Sequence, residues 1–387
     1  MHKKYSLGVV LQEPFPIGMA ATNRILSYAS EIAKSKNVKI YIPLSTEFGS
    51  KINNKEPYGS FKGVDYEYAN NTTVWPKKSN KILKIWLVII STIKLLFNIK
   101  KDNPSTLIFY ANTGVISFFQ IFLIKLFCSN KLIIEESEYP KFYRRKNNYF
   151  IKKIIFSAYG MSDGMIVMTK ILKNYYRKFT NKKILLLPMT VDFSRFKNIT
   201  MPENFYYKNY FVYVGGNGGV ERDGLRFMIK AFTIFSKKKS DYKLLIVGPI
   251  SYENQQNLLN EIDHNSVIMI GPLCSKDIPY VLKNSVACVM TPCKEFTSGG
   301  FPTKLGEFLL SGKPVIVSAL DSILDYLDDS NAILFKPNCI KGCVSAFEKV
   351  ILPKNKSLSI AQNGYAVCDN YFNPSKYSNQ LIEFLEI

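Results

Sequence analysis

Short aliphatic runs alternate with helical stretches along nearly the whole chain, and they do so in two successive blocks. Ser6–Leu11, Lys39–Ile42, Thr106–Tyr110, Lys131–Glu135, Gly164–Met168 and Ile184–Leu187 read as strands. Between them, Thr22–Lys34, Leu83–Ile99, Val115–Phe127, Tyr149–Tyr159 and Lys170–Phe179 read as helices. The second block repeats the scheme, with strands at Tyr210–Val214, Lys243–Val247, Val267–Ile270, Ala287–Met290, Val315–Ile316 and Ala332–Phe335. Its helices are Gly224–Lys237, Ser251–Asp263, Ile278–Asn284, Thr303–Ser311 and Lys341–Leu352. Parallel strands need a crossover connection, so this alternation implies parallel sheets clothed by helices. The expected class is α/β: two doubly wound, Rossmann-like domains facing one cleft at the carboxyl ends of their strands. The polar stretch Asp192–Tyr210 is the expected linker. It divides the chain into domains 1–197 and 198–367, followed by 368–387, whose helix Pro374–Leu385 is expected to pack back on the first domain.

The densest chemistry lies in Thr297-Ser298-Gly299-Gly300-Phe301-Pro302-Thr303-Lys304-Leu305-Gly306-Glu307. Adjacent glycines let backbone approach a ligand closely and take positive φ. Pro302 and Thr303 suit a helix start, and Gly312 suits its end. The bare N–H groups and dipole of such a start attract phosphate, and Lys304 adds a full charge. Glu307, three residues on, shares that face and can accept two hydrogen bonds from a ribose diol. The plainer reading is a turn into an amphipathic helix with Leu305, Phe308 and Leu309 in the core. Two further loops are of the same kind. Gly18-Met19-Ala20 joins the first strand to the first helix. Gly215-Gly216-Asn217-Gly218-Gly219 leads to Arg222, which suits a diphosphate, although it fits neither the P-loop nor the dinucleotide fingerprint.

The net charge of +21 is lopsided: residues 1–193 hold 30 Lys+Arg against 12 Asp+Glu, and residues 194–387 hold 21 against 18. Such a first half wants an anionic partner. Lys81–Lys101 is apolar with interspersed lysines and a Trp, and Tyr139–Lys153 mixes basic and aromatic side chains, as an interfacial surface does. An anionic membrane surface is the expected partner, with no nucleic acid, because no nucleic-acid module is present. Lys84 and Lys94 bracket too few apolar residues for a span, so neither segment is expected to cross a bilayer. A buried core helix with snorkelling lysines is the alternative for the first segment. The opening apolar run stops at Gln12-Glu13-Pro14, too short for a secretory signal, so a cytoplasmic location at the inner membrane face is expected. With two histidines and seven irregularly spaced cysteines, free thiols are expected and no metal site.

The ordered series Tyr213-Val-Gly-Gly, Arg222-Asp-Gly, Leu245-Ile-Val-Gly248, Val267-Ile-Met-Ile-Gly271-Pro-Leu and Gly300-Phe-Pro-Thr-Lys304-Leu-Gly-Glu307 resembles glycosyltransferase family 4. Glu135-Glu136-Ser-Glu138 and Leu187-Pro188-Met-Thr-Val191-Asp192 continue the resemblance into the first half. It implies the GT-B fold and retaining, metal-independent transfer from a UDP- or GDP-sugar, with no cofactor beyond that donor. By resemblance, Glu307 holds the ribose, and Arg222 and Lys304 neutralise the phosphates. The backbone of Ser298, Gly299, Gly300, Phe301, Pro302 and Thr303 grips distal phosphate and sugar. Gly271, Pro272 and Leu273 read the base, Gly215 and Gly216 line the diphosphate, and Gly18–Ala20 approaches it from the other domain. Glu136 and Glu138 are acceptor-side candidates, or structural carboxylates paired with Arg144 or Arg145. The chain departs from the family pattern at Gly299 and Gly216, where a glutamate and an arginine are usual, and a histidine after the fifth strand is missing. The expected acceptor is a lipid-linked saccharide of an envelope polysaccharide. An epimerase of the same fold and a catalytically silent sugar-nucleotide binder are the rival readings.

Overall fold

The computed structural model describes residues 3–47, 52–76, 80–110, 114–140, 149–216, 218–259, 265–293, 299–351 and 354–387. The chain divides into two compact units. The first comprises residues up to Thr190 with Gly299, Gly300 and Pro374–Ile387, and the second Val191–Thr297 with Phe301–Asn373.

In the first unit the order is β1 (Leu7–Val10), α1 (Ala20–Ile32), β2 (Val38–Ile42), β3 (Tyr58–Phe61), β4 (Val64–Tyr68), α2 (Lys81–Asp102) and β5 (Thr106–Tyr110). There follow α3 (Val115–Phe127), β6 (Lys131–Glu136), α4 (Tyr149–Met161), β7 (Gly164–Val167), α5 (Lys170–Tyr176) and β8 (Ile184–Leu186). They form a sheet of order β3-β4-β2-β1-β5-β6-β7-β8. All pairs are parallel except β3 with β4. The central strands are buried on both faces, which is why they appear in the sequence as unbroken aliphatic runs.

The second unit runs β9 (Tyr210–Val214), α6 (Gly218–Arg222), α7 (Leu225–Ser236), β10 (Lys243–Val247), α8 (Tyr252–Leu259), β11 (Val267–Gly271), α9 (Ile278–Lys283) and β12 (Ala287–Met290). It continues with α10 (Thr303–Leu310), β13 (Val315–Ser318), α11 (Asp321–Leu324), β14 (Ile333–Phe335), α12 (Ile340–Ile351) and α13 (Lys354–Phe372). Its parallel sheet has the order β11-β10-β9-β12-β13-β14. The last helix, α14 (Ser378–Leu385), belongs to the first unit, where Leu381 and Leu385 join the core beside β1 and the Leu385 carbonyl accepts from Thr106 Oγ1 at 2.8 Å.

Three differences from the sequence reading have local causes. The hairpin β3–β4 was not expected. Its turn is Lys62-Gly63, both at positive φ (51° and 79°), a two-residue reversal usually signalled by Asn-Gly. Helix α13 was also missed. Polar residues dilute its pattern, and Gly364 sits where a Cβ would lie 2.7 Å from the Asn331 carbonyl. The units divide at Val191 and Pro374 rather than at 198 and 368. The Val191 N–H donates to the Phe372 carbonyl at 2.9 Å, tying the start of the second unit to the end of α13.

Candidate functional site

Each sheet has one place where strand order reverses, and loops leaving that point flank a crevice. In the second sheet it lies between β9 and β12. The short helix α6 that follows β9 ends on Arg222, and the connection after β12 leads into α10 with Lys304. The two cations meet on a residue that the sequence reading passed over. Asp223 is 1% exposed, and its carboxylate takes a charged hydrogen bond from Lys304 Nζ, an ion pair with Arg222 Nε at 3.1 Å and a donation from Tyr213 Oη at 2.7 Å. Lys304 Nζ also donates to Tyr213 Oη at 3.0 Å and lies over its ring. Burial alone would raise the Asp223 pKa, but the charge and hydrogen bond of Lys304, with Arg222 and Tyr213, together hold the carboxyl below its ordinary range. Burial pushes the Lys304 ammonium down, and only part of that is offset by Asp223. Burial, with the Asp223 charge next, pushes the Tyr213 hydroxyl far up, so it serves as a neutral donor.

This network explains the glycines around it. A Cβ on Gly215 would fall 2.2 Å from Tyr213 Oη and 2.4 Å from Lys304 Nζ, and one on Gly219 would fall 2.8 Å from the Asp223 carboxylate. Gly224, at φ +69°, lies against the Thr291 carbonyl, which excludes any side chain. Thr291 pins this turn, its N–H donating to the Asp223 carbonyl at 3.2 Å and its hydroxyl to that of Gly224 at 2.9 Å. Gly216 is less confined, with Pro249 atoms 3.1 and 3.3 Å from a built Cβ.

Helix α10 starts after Pro302 with no side-chain cap, so its first N–H groups keep no capping partner from Pro302. Leu305, Phe308 and Leu309 are buried, and Phe301 packs its ring on Tyr326 and Phe372. Gly312 closes the helix at φ +70°, its N–H donating to the Leu309 carbonyl at 3.1 Å. Glu307, one turn in from Thr303, is ion-paired with Arg195, a second residue absent from the sequence reading. Arg195 lies on the 3₁₀ turn Phe193–Phe196, capped by Asp192, and also donates to the Ser275 carbonyl at 2.9 Å and hydroxyl at 3.2 Å. Burial raises the Glu307 pKa, and Arg195 limits the rise. Gly271, at φ +81°, ends β11 with open space where a Cβ would stand, and Pro272 is exposed while Leu273 is partly so.

The Gly18 loop in the first unit follows β1 at that sheet's own reversal, between β1 and β5. Thr22 Oγ1 donates to the Pro14 carbonyl at 2.7 Å, and a Cβ on Gly18 would overlap both residues. Met19 and Ala20 are exposed at the uncapped start of α1. Of the two expectations for Glu136, acceptor-side candidate or structural carboxylate, its surroundings match the second, with Tyr159 as a partner. It is 2% exposed and accepts from Tyr159 Oη at 2.9 Å, a structural partner inside the fold. Glu138 has an exposed side chain, and its carbonyl accepts from Tyr176 Oη at 2.9 Å. Arg144, Arg145 and Ser298 lie outside the described residues. Gly299 stands at φ +72°, with a built Cβ 2.8 Å from Leu172 and 2.9 Å from the Tyr139 ring. Its carbonyl accepts from Thr169 Oγ1 at 2.7 Å. A glutamate has no room there. Gly300 is buried.

Residues 208–352, nearly all of which lie within the second unit, match the family described as Glycosyl transferases group 1. An uncharacterized glycosyltransferase of Methanocaldococcus jannaschii is 26% identical over 269 residues. The alignment takes in 65% of this chain and 62% of that protein, less than two thirds of its length. Sucrose-phosphate synthase from Thermosynechococcus elongatus has the same fold, at TM-score 0.75 and 11% identity over 98% of both chains. So does Anabaena HepE, solved in complex with UDP and glucose, at TM-score 0.71 and 12% identity over 99% of both. The chain therefore has the fold of the GT-B glycosyltransferases.

Proposed function

We propose that this chain is a retaining glycosyltransferase of the family 4 type, moving a sugar from a UDP- or GDP-sugar to a lipid-linked saccharide in envelope polysaccharide synthesis. The observation that carries it is the pairing of Lys304 and Arg222 on Asp223 at the reversal of the second sheet, beside the uncapped start of α10. In transfer, the bond from the anomeric carbon to the β-phosphate oxygen breaks and one to the acceptor hydroxyl forms on the same face. The acceptor proton passes to the departing phosphate. Lys304, Arg222 and the first amides of α10 stabilise the charge that develops there, with no divalent ion in the role. A carboxylate has acceptor sites on both oxygens, so Arg195 on Oε1 leaves Glu307 Oε2 for the ribose diol. HepE, which binds UDP, supports the choice of a uridine donor for a first assay.

Single substitutions Lys304→Ala and Glu307→Ala test the site through nucleotide-sugar turnover on membrane extract; unchanged rates in both would reject it. The silent-binder reading draws on Gly216 and Gly299, which replace a usual arginine and glutamate. Release of free UDP or GDP only when acceptor membranes are added separates a transferase from a binder. An epimerase needs an acid or base at the sugar, and Glu136 is committed to Tyr159.

A further inference from the structure

Helix α2 is built inside out for a water-soluble domain. A surface helix ordinarily buries its apolar stripe and turns its polar face to water. Here the buried residues are Ser91, Thr92, Leu95 and Ile99, and two of the four are hydroxylic. Ser91 Oγ accepts from Asn70. Thr92 Oγ1 donates to the Val88 carbonyl at 2.8 Å and accepts from Gln120 Nε2 on α3 at 3.2 Å. Gln120 in turn accepts from Gln12 at 2.7 Å. A hydrogen-bonded seam therefore shares the inward face with Leu95 and Ile99, and most of the apolar side chains are left outside. Phe97 is 68% exposed, Ile93 61% and Trp86 58%, with Ile89 beside them and Phe119 and Phe122 exposed on α3. Among the described residues, 14 of the 28 exposed large hydrophobic side chains sit on these two helices, so they are no random scatter.

This rules out one of the two sequence readings of the segment and removes the length argument against a span. It is not a buried core helix, because only 22% of its most apolar window is inside the fold. By length and composition it could cross a membrane: 22 residues, with a mean hydropathy of 2.0 in that window. What opposes a span is the seam, which ties one face to Asn70 and Gln120 along the middle of the helix.

We infer that α2 and α3 form one face that lies in the headgroup region of an anionic bilayer leaflet. Charge selects this occupant. Lys81, Lys84, Lys94, Lys100 and Lys101 lie on α2, and the sole acid on either helix is Asp102, already paired with Lys39 at 2.6 Å. A second copy applied to this face would set lysine against lysine, whereas acidic lipid neutralises them. Aromatic and aliphatic side chains rimmed by lysines match the depth profile of an interfacial helix. The inference deepens the proposed function, since a lipid-linked acceptor is met at such a surface, but it rests on separate residues from the donor site.

The two tryptophans of the chain allow a direct reading. In a Trp75→Phe protein, Trp86 emission should shift to the blue on adding phosphatidylcholine vesicles containing phosphatidylglycerol, and much less with phosphatidylcholine alone. Ile93→Ser with Phe97→Ser should weaken partitioning roughly tenfold or more. Lys84→Gln and Lys94→Gln should weaken it about fivefold each and flatten its salt dependence. Far-UV circular dichroism and the thermal shift with UDP show that each variant is folded. An unmoved Trp86 spectrum, equal binding to neutral and anionic vesicles, undiminished binding by the folded Ser variants, or a dimer through this face by light scattering would overturn the inference. Failure of UDP to bind the wild-type protein would count against the donor site alone.

Discussion

Asp223→Asn tests the charge network that organises the candidate donor site. The substitution keeps the shape and a hydrogen bond to Tyr213 but removes the anion shared by Lys304 and Arg222. Breaking a buried ion pair costs about 3–5 kcal/mol. Lys304 keeps Tyr213 Oη at 3.0 Å and is 22% exposed, which places the loss at or just below the bottom of that range, at roughly 2–3 kcal/mol. Arg222 is 55% exposed and adds almost nothing, because solvent screens it. For a unit of this size the melting transition should fall by about 5–10 °C. The asparagine protein should then gain more from UDP than the wild type does, because the diphosphate supplies the missing negative charge beside Lys304. The pH profile gives an independent sign. Asp223 is held below its ordinary pKa, so its contribution is present above that ordinary value and is lost as pH falls through the folded one. The gap between wild type and variant should therefore close in acid. Differential scanning fluorimetry with and without UDP measures all three effects. Equal stability of the two proteins at neutral pH, or a smaller UDP response in the variant, would refute the reasoning.

Gly299→Glu restores the carboxylate usual in the resembled family, yet it should lower stability and leave turnover no higher, because φ is +72° and Leu172 and Tyr139 fill the space. A rise in activity would show that this loop relaxes readily. Arg195→Met removes the charge that limits the rise of the Glu307 pKa. Ribose binding needs the ionised carboxylate, so UDP affinity should fall off at higher pH in the variant than in wild type; superimposable titration curves would discount Arg195 as a positioning group. Arg24 is buried, with Nε on Glu135 at 2.6 Å and its other nitrogens on the Pro188 and Leu187 carbonyls. Arg24→Met should cost about 3–5 kcal/mol in urea unfolding, and adding Glu135→Gln should recover much of it.

The strands were legible because both faces of a central parallel strand are buried, so burial alone writes an aliphatic run into the sequence. Thr106–Tyr110, Tyr210–Val214, Lys243–Val247 and Ala287–Met290 were bounded to the residue for this reason. The edge hairpin β3–β4 was not, because β3 is largely exposed and its turn residues are Lys62 and Gly63. Lys304, Arg222 and Glu307 stood out as candidates from glycines and spacing beside a helix start, a signal that is local. Their partners could not. Asp223 lies 81 residues from Lys304, and Arg195 lies 112 from Glu307.

What the sequence determined by itself was the alternation of elements, hence the layering and the strand ends from which the candidate loops leave, since those follow from periods of a few residues. Which charges meet, which face of α2 is tied down by Asn70 and Gln120, and why Gly299 admits no side chain were decided only by tertiary structure. The physical reason is range. Hydrophobic periodicity is summed along the chain, whereas an ion pair or a steric limit is set across a few ångströms by residues far apart in sequence.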